Sequence, residues 1–173
     1  MATTTHKSTK VASKITSALV TPGLTQTDST ARVPLGTIVH TDAGGVAEYG
    51  YALSECSQYA FCIMYDGGTS QMATTTLAND GGGSKKIGCP QASVASAYYG
   101  WFMRQGTFIG RFSDDPADNV PLFTTATAGE LDDATVSNCL VAGVFLNTTE
   151  SLATALTCVA SFPMAVMPYT NPA

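Results

Sequence analysis

Two imidazoles, His6 and His40, are the only side chains whose ordinary titration falls near neutral pH. His40, next to Asp42, could serve as a base with one of the many serines or cysteines. No Gly-x-Ser-x-Gly elbow or other strained nucleophile turn accompanies it, so a histidine closing a strand reads more simply as a surface or structural residue. Carboxylates gather at Asp114, Asp115 and Asp118 and again at Glu130, Asp132 and Asp133. Such loops can hold calcium, yet neither has EF-hand spacing and Pro116 interrupts the first. Paired carboxylates can also hydrolyse sugars, but only at a separation that a sequence does not display. The glycines before Ser84-Lys85-Lys86 lack the spacing and the following helix of a phosphate loop. Cys56, Cys62, Cys89, Cys139 and Cys158 include no Cys-x-x-Cys pair, and both histidines are distant in sequence. Their apolar neighbours, as in Phe61-Cys62-Ile63, point to buried free thiols and folding in a reducing compartment. No catalytic residue, cofactor or metal site is assigned, and the chain is not expected to be an enzyme.

The elements that would carry these residues are strands. Leu35–Thr41 turns at Asp42–Gly45 into Val46–Leu53; Gln58–Tyr65 is apolar on both faces, as a doubly covered strand would be. Gln71–Ala78 fits a short helix or a strand, and Ile87–Ala95 a short edge strand interrupted at Pro90. Val120–Thr125 is brief. Cys139–Asn147 and Leu156–Val166 are long and apolar, with Pro163 expected at an edge or bulge. Turn signals at short intervals without βα alternation predict an all-β fold, a compact β-barrel or β-sandwich with an extended N-terminal arm. The arm covers residues 1–32 and the β-rich domain residues 33–173.

The most aromatic stretch, YYGWFMRQGTFIGRF from Tyr98 to Phe112, holds the single tryptophan. A two-residue turn at Gln105-Gly106 would make it a hairpin with Trp101 opposite Gly110, Met103 opposite Phe108 and Tyr99 opposite Phe112. Alternation then gathers those six on one face and leaves Gly100, Phe102, Arg104, Thr107, Ile109 and Arg111 on a mixed surface. A bulge at Gly106 would slip the register by one and exchange the faces. Tyr98, Tyr99, Trp101, Met103, Phe108 and Phe112 are therefore the expected core or interface residues. With Tyr49 and Tyr51 these aromatics could instead form a sugar-stacking platform, although packing explains them more simply.

Charge is scarce, 12% of residues against about a quarter in ordinary domains. It is also divided. Residues 1–32 hold four cations and one carboxylate, a balance of +3; the remainder holds four cations and twelve carboxylates, a balance of −8. An acidic body offers no broad basic surface for nucleic acid, so no nucleic-acid partner is expected. The arm could lie on an acidic protein surface or be a solvated terminus. Val11, Ile15, Ala18 and Leu19 have helical spacing up to Pro22-Gly23. Lys7, Lys10, Val11, Lys14, Ile15, Leu19 and Arg32 are the arm's candidate contact residues. No run has the length of a membrane span, so no membrane partner is expected. There is no apolar stretch of signal-peptide length; the Thr/Ser/Lys bias leaves a transit peptide as an alternative, and Asn147-Thr148-Thr149 fits a glycosylation sequon.

Four stretches stand out together: Val33-Pro34-Leu35-Gly36-Thr37, Ala97-Tyr98-Tyr99-Gly100-Trp101 with its following strand to Gly110, Pro121-Leu122-Phe123 and Val141-Ala142-Gly143-Val144. On these the body resembles the head decoration, or capsid cement, proteins of tailed bacteriophages. It implies a structural virion protein, often a homotrimer, seated on the outer capsid surface. Its partner would be the major capsid protein, whose neighbouring capsomers it cements against the pressure of packaged DNA. Such a chain is made in the host bacterial cytoplasm. A carbohydrate-binding β-module, a tail or baseplate component and a small hydrolase are the competing readings.

Overall fold

The structure, a computed structural model, describes residues 23–80, 84–113, 116–134, 139–146 and 155–166. Their strands are β1 (Thr27–Asp28), β2 (Ile38–His40), β3 (Val46–Ala52), β4 (Cys62–Met64), β5 (Thr69–Met72), β6 (Lys85–Pro90), β7 (Tyr99–Arg111), β8 (Leu122–Thr124), β9 (Leu131–Asp132), β10 (Leu140–Leu146) and β11 (Ala155–Val166). One short helix, α1 (Thr75–Asn79), lies between β5 and β6. The fold is all-β. A single hydrogen-bonded sheet runs β1-β7-β3-β5-β4-β6-β11-β10-β8-β9, with β2 on β3, and β7 also pairs with β6 and β11.

Those extra pairings close two circuits. The first, β7-β3-β5-β4-β6 and back to β7, makes a small barrel; β3 and β5 are its parallel pair. Alternation sends one parity of side chains inside. Ala52, Cys56, Ala60, Cys62, Met64, Val94 and Phe102 form that inner core. Phe102 fits because glycines face it: a Cβ on Gly50 would lie 3.0 Å from its ring, and one on Gly88 would lie 2.9 Å from its Cβ. The opposite parity of the same strands, including Ala47, Tyr49, Ile63, Ile87, Cys89, Trp101 and Met103, enters a second and larger core. There β10 and β11 lay Val141, Val144, Leu146, Leu156, Cys158 and Ala160 against them.

The predicted hairpin at Gln105-Gly106 does not form. Tyr99–Arg111 is one continuous strand of 13 residues. A primed two-residue turn needs positive φ at its first central residue (at both in type I′), and Gln105 does not have it; only Gly106 does, at 105°. A single such residue kinks the strand without reversing it, and the register on β3 skips Arg104 between Met103↔Ala47 and Gln105↔Val46. Each half finds its own partner. Trp101 pairs with Tyr49 on β3, not with Gly110, while Gly110 pairs with Leu156 on β11. Gly110 is covered by Phe61, whose ring a Cβ there would meet at 2.5 Å. The kink exchanges parity, so Trp101 and Met103 still share a core with Phe108 and Phe112, and Tyr99 packs against it. The supposed mixed surface is buried at Gly100, Phe102 and Arg104, because closure of the barrel puts it inside.

Other expectations divide by local cause. Gln71–Ala78 becomes strand and then helix: Thr74 caps α1 by accepting the Leu77 N–H at 3.2 Å. β6 is not an edge strand, since it pairs with β4, β7 and β11, but it does stop at Pro90. Pro163 sits in a bulge, where the register jumps from Ala142↔Met164 to Val144↔Ala160. All five cysteines are buried free thiols. Gly23–Arg32, expected with the arm, lies against the body: β1 pairs with Tyr99 and Gly100, and Leu24 packs on the larger core.

Candidate functional site

The β2–β3 turn leans on β7 and leaves an open groove between them, with a volume of about 370 Å³. The turn is held by Thr41, whose N–H donates to the Gly45 carbonyl and whose hydroxyl accepts the Gly45 N–H, both at 2.9 Å. The kink at Gly106 brings β7 past it so closely that a Cβ on Gly106 would meet the Gly45 Cα at 2.8 Å. Trp101, Met103, Phe108, Ile109, Val39 and Leu24 give the groove an apolar wall, with His40 and Asp42 at the turn. Gln91 is committed on both sides of its amide: its nitrogen donates to the Ile109 carbonyl at 3.0 Å and its oxygen accepts the Ile109 N–H at 3.3 Å.

This arrangement unites His40, Asp42 and Trp101, three residues the sequence singled out, but neither serine nor cysteine lines the groove. The hydroxyls that line it are those of Thr41 and Thr107, and the Thr41 oxygen already accepts the Gly45 N–H. The thiols are elsewhere and suppressed. Burial pushes Cys62 and Cys89 well above the usual thiol range, raises Cys139, and lifts Cys158 to about 12. Cys56 alone is lowered, through a hydrogen bond with Cys62 that outweighs its own burial. Among the described residues no group of three His, Cys, Asp or Glu is placed to hold a metal ion.

The aromatics that could have made a sugar-stacking platform are interlocked, as packing predicted. Tyr49 is stacked on Tyr99 at 6.0 Å and tilted against Trp101 at 4.9 Å, and Tyr51 meets Tyr99 at 5.0 Å. Tyr49, Trp101, Met103, Phe108 and Phe112 are buried, Tyr99 is half-buried, and Tyr98 is exposed. Burial raises the Tyr49 phenol even though its oxygen accepts the Arg32 N–H at 3.3 Å. Arg32 itself is engaged at home, with its guanidinium 2.8 Å from Asp28. Lys7, Lys10, Val11, Lys14, Ile15 and Leu19 lie outside the described residues, as do His6, Asp114, Asp115 and the Asn147 sequon.

Two features escaped the sequence. One is a buried ionic cluster inside the barrel: Glu48 faces Lys86 at 3.4 Å and Arg104 at 3.8 Å. The Arg104 Nε has no hydrogen-bond partner, and burial lowers the guanidinium pKa while Glu48 opposes that shift. The signal was available, since Glu48 and Arg104 interrupt otherwise apolar strands. The other is an outward apolar face on the β10–β11 ribbon, where Phe145, Phe162 and Met164 are exposed. Phe162 holds a φ of 45°, opposite Gly143 at 86°. A Cβ on Gly143 would approach the Ser161 carbonyl at 2.7 Å, so this bulge requires glycine there.

Comparison of the chain with protein-family models, curated proteins and solved structures finds no match.

Proposed function

We propose that the chain is a structural decoration protein of a phage capsid, clamping neighbouring capsomers from the outer surface and carrying out no reaction. The observation that carries this reading is the exposed Phe162. A non-glycine residue at positive φ costs about 1–3 kcal/mol and persists where surrounding structure imposes it, often at functional surfaces. Here the strained position lies in the bulge of the β10–β11 ribbon, which also exposes Phe145 and Met164. An apolar face on a chain with so little charge suits burial against a larger neighbour, because interface centres are depleted in charge. The sequence resemblance supplies the identity of that neighbour, the major capsid protein, and the expectation of a homotrimer.

Phe145→Asp with Met164→Asp tests the reading, since both side chains are exposed and their loss leaves the cores intact. The parent protein is expected to co-sediment with empty heads of the phage that encodes it, and the double variant to stay in the supernatant at unchanged melting temperature. Equal occupancy by both proteins would remove this face from the interface. Failure of the parent to bind heads would reject the function.

A further inference from the structure

We propose that the groove between the β2–β3 turn and β7 is the seat of the chain's own segment Ile15–Val20, which roots the arm on the body. Position is the first argument. The described chain begins at Gly23, and Gly23 and Leu24 themselves form part of the groove wall. A turn closed by the Gln26 N–H on the Gly23 carbonyl at 2.9 Å, with Leu24 packed on the larger core, fixes this end of the wall. Leu19 is four residues earlier, so it lies within about 14 Å of Gly23 even on a fully extended chain. Ile15, Leu19 and Val20 therefore reach the groove without any rearrangement of the body.

Chemistry is the second argument. Trp101, Met103, Phe108, Ile109 and Val39 make an apolar wall matched to aliphatic side chains. The Gln91 amide is committed to the Ile109 backbone and the Thr41 oxygen accepts the Gly45 N–H, which leaves His40, Asp42 and Thr107 as the polar margin of that wall. Charge agrees, since the arm's excess of +3 meets a body of −8, and Lys14 immediately precedes the segment while Asp42 stands at the rim. Seating Ile15–Val20 leaves Lys7 and Lys10 beyond the root, free to reach outward. The inference goes beyond the capsid reading and does not depend on it, because it concerns the isolated protein.

Trp101 lines the groove and is the single tryptophan, so its fluorescence reports the occupant directly. Three proteins are compared: the full chain, the full chain with Leu19→Asp and Val20→Asp, and a chain lacking residues 1–20. The full chain should show blue-shifted emission resistant to acrylamide. Both altered proteins should shift to the red, become readily quenched and bind the apolar dye ANS, with circular dichroism unchanged. A synthetic peptide of residues 13–22 should restore the blue shift to the truncated chain. Identical emission and quenching in all three would overturn the proposal. So would protection that disappears on dilution of the full chain, which would assign the groove to another copy's arm.

Discussion

The two cores of this protein are filled to different degrees. The barrel core is small and ringed by β7, β3, β5, β4 and β6, with Phe102 caged by glycine-bearing strands and a buried Glu48–Arg104 pair inside the same wall. The larger core is richer in aromatics, yet at one margin, beside Trp101 and Phe108, it opens into a groove. One strand, β7, serves both cores and changes from one packing pattern to the other at Gly106. The comparison separates a structural region, where shape is fully used, from one where shape is left over for something else to fill.

Truncating a phenylalanine on each side tests that difference most strongly. Phe102→Ala leaves a void that rigid strands cannot close, and should cost about 4 kcal/mol. Phe108→Ala borders space that is already open, and should cost less, about 3 kcal/mol, at the lower edge for such changes. Urea denaturation of the two variants measures both. A larger loss at Phe108 would mean that the groove margin, not the barrel, is the more tightly packed region.

The ionic cluster sharpens the barrel side of the contrast. Removing one partner of a buried pair strands the other, so Glu48→Ala should cost about 3 kcal/mol. Much of that loss comes from the unpaired Arg104, not from the missing attraction. Glu48→Ala combined with Arg104→Met should therefore recover most of it, again read by urea denaturation. A single-variant loss below about 1 kcal/mol would place the pair with surface ion pairs, contrary to its burial.

How much of this was legible in the sequence depends on the range of the interactions involved. The all-β class, the turn at Asp42–Gly45, the placing of Pro163 at an edge or bulge and the buried cysteines follow from local chemistry, and the structure has all four, with Pro163 in a bulge. The hairpin failed because Gln105-Gly106 looks like a turn only if the strands on either side have no better partners. β3 and β11 are those partners, and neither is near β7 in sequence order. The burial of Phe102 and Arg104 was hidden for the same reason: which face points inward is decided by barrel closure. The groove was half visible. His40, Asp42 and Trp101 were each conspicuous, but only the kink at Gly106 and the β2–β3 turn bring them to one place.

The smallest expected effect is set by the thiols that span the two cores. Cys62 lies in the barrel, Cys158 in the larger core, and burial raises both. For Cys158 the rise is from an ordinary value of 9.0 to about 12. Below pH 9 both the native and the unfolded thiol keep their proton, and the contribution of burial is complete. As pH rises through 9 the unfolded thiol ionises while the native one does not, so the unfolded state binds fewer protons and stability falls. The decline continues until the native Cys158 ionises near pH 12. Melting temperature measured from pH 8 to pH 11 should therefore drop, and Cys158→Ala should make the drop shallower while lowering the starting value through its lost packing. An unchanged slope in that variant would show that Cys158 is wetter than its place between β11 and β7 implies, and would extend the looseness of the groove margin deep into the larger core.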